Sequence, residues 1–441
     1  MNPWVGIASV IIILIGVIHV LSRLQNSLIK DPEVIRKTLH VTMGLLTLSF
    51  PWVFQSAWPV VTLSIVSSVI IAVLKVSKLK QWQPVLCARG RASIGEIIFP
   101  LAIGLTFLLS AGDKILYLVP IIILTLADTA SALIGQRFGT RKYNCTEGSK
   151  KSLQGSFGFA LVAFSATFIS LNFFTVIGTP VALCIALIVG LVAMMFEAIA
   201  WNGLDNLFIP LGAFIVLKTH MHLELSILEI RLSLLLAVSV LIVLLRRNST
   251  LNGSGIIGAA LFCYFTFIMN GIEWVVMPIL LYLSYRFLLP NRFRSIRSEH
   301  NVYAVVSVAS VGIIWSLLSM LNKREEFIFP YMLTFATHAA IIATAHMRFT
   351  SFSKQKMLFI LQAVLKACCL VAVPLLLLLP RAIDSMILLV LTPLCIGFST
   401  FLFYLFNSTT IKPFTRATRW WKQASCAALA SLLGLIPLLM H

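Results

Sequence analysis

The sequence predicts an all-α, polytopic integral membrane protein with about 14–16 transmembrane helices. Three observations carry this expectation. Hydrophobic residues fill 59% of 441 positions and charged residues only 11%, whereas soluble domains average about 25% charged. Apolar stretches of spanning length, about 20 residues each, recur along the whole chain. Basic residues concentrate on alternate loops, as the positive-inside rule requires of a chain threaded repeatedly through a bilayer.

The first apolar run, about residues 5–21, has no basic region before it and no small-residue cleavage site after it. It is therefore expected to stay as a helix and not to be removed as a signal peptide. Further apolar runs in the N-terminal half begin near Leu39, Ala57, Ser93, Ile115, Gly155, Thr179 and Leu207. In the C-terminal half they begin near Ile227, Gly255, Ile272, Val302, Ile328, Met357, Asp384 and Gln423. Short loops join them. Residues 1–220 are expected to form one membrane domain and 221–441 a second bundle.

If the N-terminus lies outside, the cytoplasmic loops are 22–38, 75–91, 136–152, 201–206, 246–252, 286–301, 347–356 and 407–422. These carry 27 of the 34 Lys and Arg residues. So lopsided a division implies this orientation and accounts for the formal charge of +19. The basic face is suited to anionic lipid headgroups and cytoplasmic anions. Nucleic acid is excluded as a partner, because no basic domain stands clear of the membrane.

The eight cysteines are scattered and show no CxxC spacing, so reduced packing residues are expected. The N-x-S/T triplets at Asn144, Asn248, Asn252 and Asn407 all fall in loops assigned to the cytoplasm.

An ionised side chain at a helix centre costs roughly 2.5–3.5 kcal/mol to insert, so the acids single out a site. Asp128 opens DTASALIGQRFG inside an apolar helix, and a basic loop follows. Asp128 precedes Gly135 by seven residues, which places it roughly 10 Å below that loop. Glu33, Glu96, Glu197 and Asp205 also lie near cytoplasmic helix ends. The acids of the C-terminal half do not converge on that face.

Four constellations follow. Glu33, Arg36, Lys37 and His40 have helical spacing that puts all four on one side. Arg89, Arg91, Ser93, Gly95 and Glu96 precede Pro100. Asp128, with Thr129 and Ser131, is followed by Gly135 and Gly139 and by Arg137, Arg141, Lys142, Lys150, Lys151, Ser152 and Gly155. In EAIAWNGLDNLFIPL, Glu197 is followed by Asn202, Asp205 and Asn206, with a tight turn expected through Asn202 and Gly203. Simpler roles exist for some of these: interfacial anchors, N-caps, and small residues for helix packing. None of them explains Asp128 together with five loop cations.

Magnesium takes oxygen ligands, commonly one or two protein carboxylates plus substrate phosphates. Phosphoryl transfer needs positioning and charge neutralisation more than covalent chemistry by the protein. Asp128 and Asp205, with Asn206 beside them, are the expected Mg²⁺ ligands. Arg36, Lys37, Arg137, Lys142, Lys150, Lys151, Ser152 and Gly155 are the expected nucleotide and phosphate contacts. Asp128, Glu197 and His40 are the catalytic candidates, with Glu197 or His40 orienting or deprotonating an alcohol. Glu33 and Glu96 are further candidates. Neither GxGxxG nor GxxxxGK[ST] occurs in residues 1–220.

Glu33, Arg36-Lys37 and His40, RASIGE with the following Phe99-Pro100, DTASALIGQRFG, KKSLQGS and EA…DNLFIP together resemble the phytol kinase and dolichol kinase group of CTP-dependent polyprenol kinases. The resemblance covers residues 30–215 or so. It implies phosphorylation of a long isoprenoid alcohol of the phytol, geranylgeraniol or dolichol class, with CTP as donor and a divalent metal. It places Asp128, Lys150, Lys151, Ser152, Gly155, Glu197, Asp205 and Asn206 on the family's motif positions. Farther on, NGSGIIGAAL near Asn252 is faintly similar to the membrane family that includes phytyl-phosphate kinase. The stretch TFATHAAIIATAH there carries His338 and His346 but no Asp, so residues 221–441 are expected to be a degenerate or accessory bundle.

Two other functions stay open at this point. A phosphatidate cytidylyltransferase would share a CTP-metal site, although its long Lys-Arg, Lys-Asp and His-Gly-Gly signature is not found. A non-enzymatic lipid transporter would suit the number of helices, but would line a polar path across the membrane. The chain has no eukaryotic targeting signal, so a bacterial inner membrane is the expected location.

Overall fold

Apolar runs that cannot leave backbone groups unpaired in lipid must become helices, and every run marked in the sequence does so. The structure, a computed structural model, describes residues 3–27, 32–76, 94–144, 150–199, 202–245, 251–288, 300–347, 356–378, 385–406 and 417–439. Among the described residues, and apart from the four-residue helices Phe50–Val53 and Ile436–Leu439, the first eight helices are α1 (Pro3–Ser27), α2 (Pro32–Thr47), α3 (Ala57–Val76), α4 (Gly95–Ser110), α5 (Lys114–Phe138), α6 (Leu153–Phe174), α7 (Thr179–Ala198) and α8 (Asp205–His220). The other eight are α9 (Leu225–Leu245), α10 (Gly253–Asn270), α11 (Val276–Leu288), α12 (Val302–Asn322), α13 (Ile328–Met347), α14 (Lys356–Leu378), α15 (Ser385–Phe406) and α16 (Ala417–Leu433). Among the described residues, eight helical segments are long and apolar enough to cross a membrane, and four shorter apolar ones accompany them. The protein is a polytopic, all-α integral membrane protein.

Local chemistry sets several boundaries. The Asp113 carboxylate accepts from the N–H groups of Ile115 (2.9 Å) and Leu116 (3.1 Å), capping α5. Ser152 does the same for α6 by accepting from Gly155 N–H (3.1 Å). Pro32 is the first residue of α2, where its missing N–H costs nothing; the helix therefore starts seven residues before the apolar run at Leu39. The basic loop between α5 and α6 holds a small antiparallel hairpin, β1 (Lys142–Asn144) and β2 (Lys150–Ser152), pairing Lys142 with Ser152 and Tyr143 with Lys151.

The chain forms two compact units, Met1–Ser239 and Val240–His441. Apolar clusters of the first unit include one around Phe50, Val60, Phe99, Tyr117 and Leu124 and another around Leu14, Ile18, Ile35, Leu39 and Ile71. Lipid is as apolar as these side chains, so helix association depends on close packing. Small residues supply it. A Cβ on Gly190 of α7 would lie 3.1 Å from the Ala160 carbonyl of α6. Gly44 of α2 is tighter still, since a Cβ there would lie 2.1 Å from Thr125 Oγ1. Gly44→Ala is expected to destabilise the protein by about 1–3 kcal/mol through overpacking. Thermal unfolding in detergent should show a lowered midpoint, partly restored by Thr125→Ala.

In the second unit α13 is the central helix; Phe329, Tyr331, Leu333, Ala336 and Ala340 are buried on it. His338 is fully buried on the same helix. The His346 side chain lies outside the described residues. Lys366, expected inside a helix, is exposed on α14.

Candidate active site

Asp128 sits where α5 changes its winding. A single π-helical stretch, Ile123–Ala127, directly precedes it; such bulges redirect side chains and concentrate at functional sites. The bulge packs against α2, where Gly44 permits the close approach. His40 of α2 donates from Nε2 to the Leu124 carbonyl (3.0 Å) and lies 3.9 Å from Asp128 Oδ2. Its ring packs on Phe99 of α4 with centroids 4.5 Å apart. One turn earlier, Lys37 is buried and its ammonium lies 2.5 Å from Asp128 Oδ2.

The α7–α8 connection brings the second and third carboxylates. Asn202 and Gly203 both adopt the left-handed conformation (φ 50° and 84°), a turn that Gly and Asn tolerate best. The Asn202 carbonyl accepts from Ile94 N–H (2.9 Å), and Asn206 Nδ2 donates to the Gly95 carbonyl (2.9 Å). Two bonds thus tie the turn to the start of α4. Asp205 then begins α8 while Glu197 lies just inside the end of α7. As a result Asp128, Glu197 and Asp205 each offer a carboxylate oxygen within 4.8 Å of the others.

Cations from two directions balance this cluster. Successive residues of a strand point to opposite faces, and β2 uses this: Lys150 is exposed, whereas Lys151 turns inward. The Lys151 ammonium lies 2.7 Å from Glu197 Oε1 and also donates to the Glu197 carbonyl. Ser131 Oγ donates to Glu197 Oε1 (3.3 Å). Two ammonium groups therefore face three carboxylates, leaving one formal negative charge. Glu197 is 5% exposed, yet its Oε2 has no hydrogen-bond partner among the described residues. A buried carboxylate oxygen left unpaired is costly, and an all-oxygen set of this size suits a hard divalent cation. The residues fit Mg²⁺.

The remaining predicted site residues divide into four groups. Ser152 caps α6 and Gly155 packs closely against α5, where an added Cβ would lie 2.9 Å from the Ser131 carbonyl. Arg137, Lys142 and Lys150 stand exposed above the cluster on the end of α5 and on the hairpin. Glu96 pairs with Lys75 of α3 at 2.7 Å, and Asn206 spends its amide group on α4. The side chains of Glu33 and Arg36, and all of Arg89, Arg91 and Ser93, lie outside the described residues. Sequence reasoning missed the pairing of Lys75 with Glu96 and the Tyr143 hydroxyl, which bonds Ser156 Oγ at 2.7 Å. Nothing in their spacing distinguishes them from ordinary polar residues.

The chain is 31% identical over 205 residues to a phytol kinase of Synechocystis sp., a stretch that covers 46% of this chain and 86% of that protein. No family model and no solved structure matches the chain.

Proposed function

Because the chain belongs to the phytol kinase family, we propose that it transfers the γ-phosphoryl group of CTP to the hydroxyl of a long isoprenoid alcohol of the phytol, geranylgeraniol or dolichol class. The observation that carries this reading is the meeting of Asp128, Glu197 and Asp205 beneath a basic hairpin, with one buried Glu197 oxygen unpartnered. In this reading residues 1–220 carry the reaction, at the cytoplasmic face of a bacterial inner membrane with the N-terminus outside, and residues 221–441 are accessory.

Asp128, Glu197 and Asp205 would hold Mg²⁺, with Asn206 positioning the α8 end of the set. Mg²⁺ bound there neutralises phosphate charge and orients the nucleotide. Lys142, Lys150, Arg137 and Arg36 attract the polyphosphate from the aqueous side. Lys37 and Lys151 hold the carboxylates in place and face the developing charge. Ser152 and Gly155 fix the start of α6 through their cap, and the positive end of that helix dipole favours phosphate. The alcohol oxygen attacks the γ-phosphorus, the bond from that phosphorus to the β–γ bridging oxygen breaks, and CDP leaves. His40 Nε2 donates to the Leu124 carbonyl, which orients the ring, and in this reading the ring takes the alcohol's proton.

The test uses purified protein in detergent with Mg²⁺ and phytol or geranylgeraniol. Label from γ-labelled CTP should enter the lipid phase. Label entering only from α-labelled CTP would indicate a phosphatidate cytidylyltransferase-like reaction, and none from either would favour a lipid transporter.

A further inference from the structure

Beside the carboxylate cluster, α1, α2, α3 and α4 wall a groove that α8 touches at one end through Asn206. It contains about 820 Å³ of unfilled space, part of it open to the surroundings. The charged and amide groups on its wall, His40, Glu96 and Asn206, belong to the end nearest Asp128. Away from that end the lining is apolar. Ile18 and Val10 both face the groove from α1, and their separation in sequence corresponds to roughly 12 Å of helix rise. Three hydroxyls, of Thr47, Ser64 and Ser67, interrupt the apolar lining, and two are spent internally: Ser64 Oγ donates to the Val60 carbonyl and Thr47 Oγ1 to the Gly44 carbonyl, both at 2.8 Å. At the far end Phe50 and Leu63 are buried, and Phe54 holds the Phe50 ring edge-on at 5.4 Å.

We propose that this groove, on the kinase reading above, holds the hydrocarbon chain of the alcohol with the hydroxyl at His40, and that Phe50 and Leu63 limit the chain length it accepts. Continuity carries the assignment. His40 is both a wall of the groove and a neighbour of Asp128 at 3.9 Å, so a chain lying in the groove delivers its polar end to the carboxylates. Leaving lipid for an apolar groove brings the chain no hydrophobic gain. Selection among alcohols must therefore come from shape, the fit of the branched chain against close walls.

The experiment compares geraniol, farnesol, geranylgeraniol and phytol as acceptors for the full-length protein. Ser67→Phe and Leu14→Trp, which fill the middle of the groove, should lower kcat/KM for geranylgeraniol and phytol by about tenfold or more relative to geraniol. Leu63→Ala should shift preference toward the longer alcohols. Unchanged length preference in variants that melt normally would overturn the groove assignment while leaving the kinase reading intact. Absence of wild-type turnover with every alcohol would instead overturn the kinase reading. A diazirine-bearing geranylgeraniol, applied without nucleotide, gives a readout that does not depend on turnover. Label on α1–α4 displaced by geranylgeraniol supports the groove; label absent there, or displaced only by excess phospholipid, shows that it holds no such alcohol.

Discussion

Asp128→Asn is expected to lower phosphoryl transfer by about a thousandfold or more, while the protein inserts and folds. The first part follows from what the carboxylate does: removing one of three charged oxygens weakens the metal site, and losses of preorganised electrostatic groups cost about 10²–10³ in rate even when a single neutral donor is removed. The second follows from the charge balance. Wild-type protein has three carboxylates against Lys37 and Lys151, one formal negative charge in excess. The amide brings that excess to zero. It keeps an oxygen for Lys37, which also donates to the Asp128 carbonyl at 3.4 Å, and removing an intramembrane charge does not raise insertion cost. Transfer of γ-label into lipid, with a thermal melt of the same sample, checks both parts. Near-normal turnover would sink the assignment of Asp128.

Lys37→Met should behave in the opposite way, losing stability as well as activity. The Lys37 and Asp128 side chains are only 10% and 15% exposed, and removing one partner of a buried pair commonly costs about 3–5 kcal/mol. The substitution leaves an excess of two negative charges where wild-type has one. Its melting point should therefore fall well below that of Asp128→Asn, and millimolar Mg²⁺ should recover part of the loss. In the double variant Lys37→Met/Asp128→Asn the original excess of one returns. Stability should recover in that protein and activity should not. A double variant that is no more stable than Lys37→Met alone would show that the two side chains act independently.

The helices were legible because lipid admits so few solutions: an apolar run of spanning length has to be helical, and each of the runs beginning at Val5 through Gln423 is. The Asn202–Gly203 turn was legible for an equally local reason, since these residues accept a positive φ. Asp128 declared itself by the cost of a charge in that setting. Long-range pairing left no such mark. Lys37 read as a phosphate contact on the helix entering the membrane, and nothing in its spacing showed that it would pair with Asp128, 91 residues away. Lys150 and Lys151 read as an equivalent pair until the strand sent one outward and the other to Glu197. Strands of three residues carry too little alternation to be seen, so the hairpin was not anticipated. Glu197 or His40 was expected to handle the alcohol; Glu197 packs beside Asp128 and Asp205, and the reading proposed above gives it a place among the metal ligands. The π stretch before Asp128 has no sequence signal that we can identify.

Metal binding measured without turnover tests the central claim most directly. Titration of the purified protein with Mn²⁺, followed by electron paramagnetic resonance, should show tight binding at one site in the wild type. That binding should weaken in Asp128→Asn, Glu197→Gln and Asp205→Asn, each alone. Binding that survives all three substitutions together would contradict the account, because the ion would then be held elsewhere.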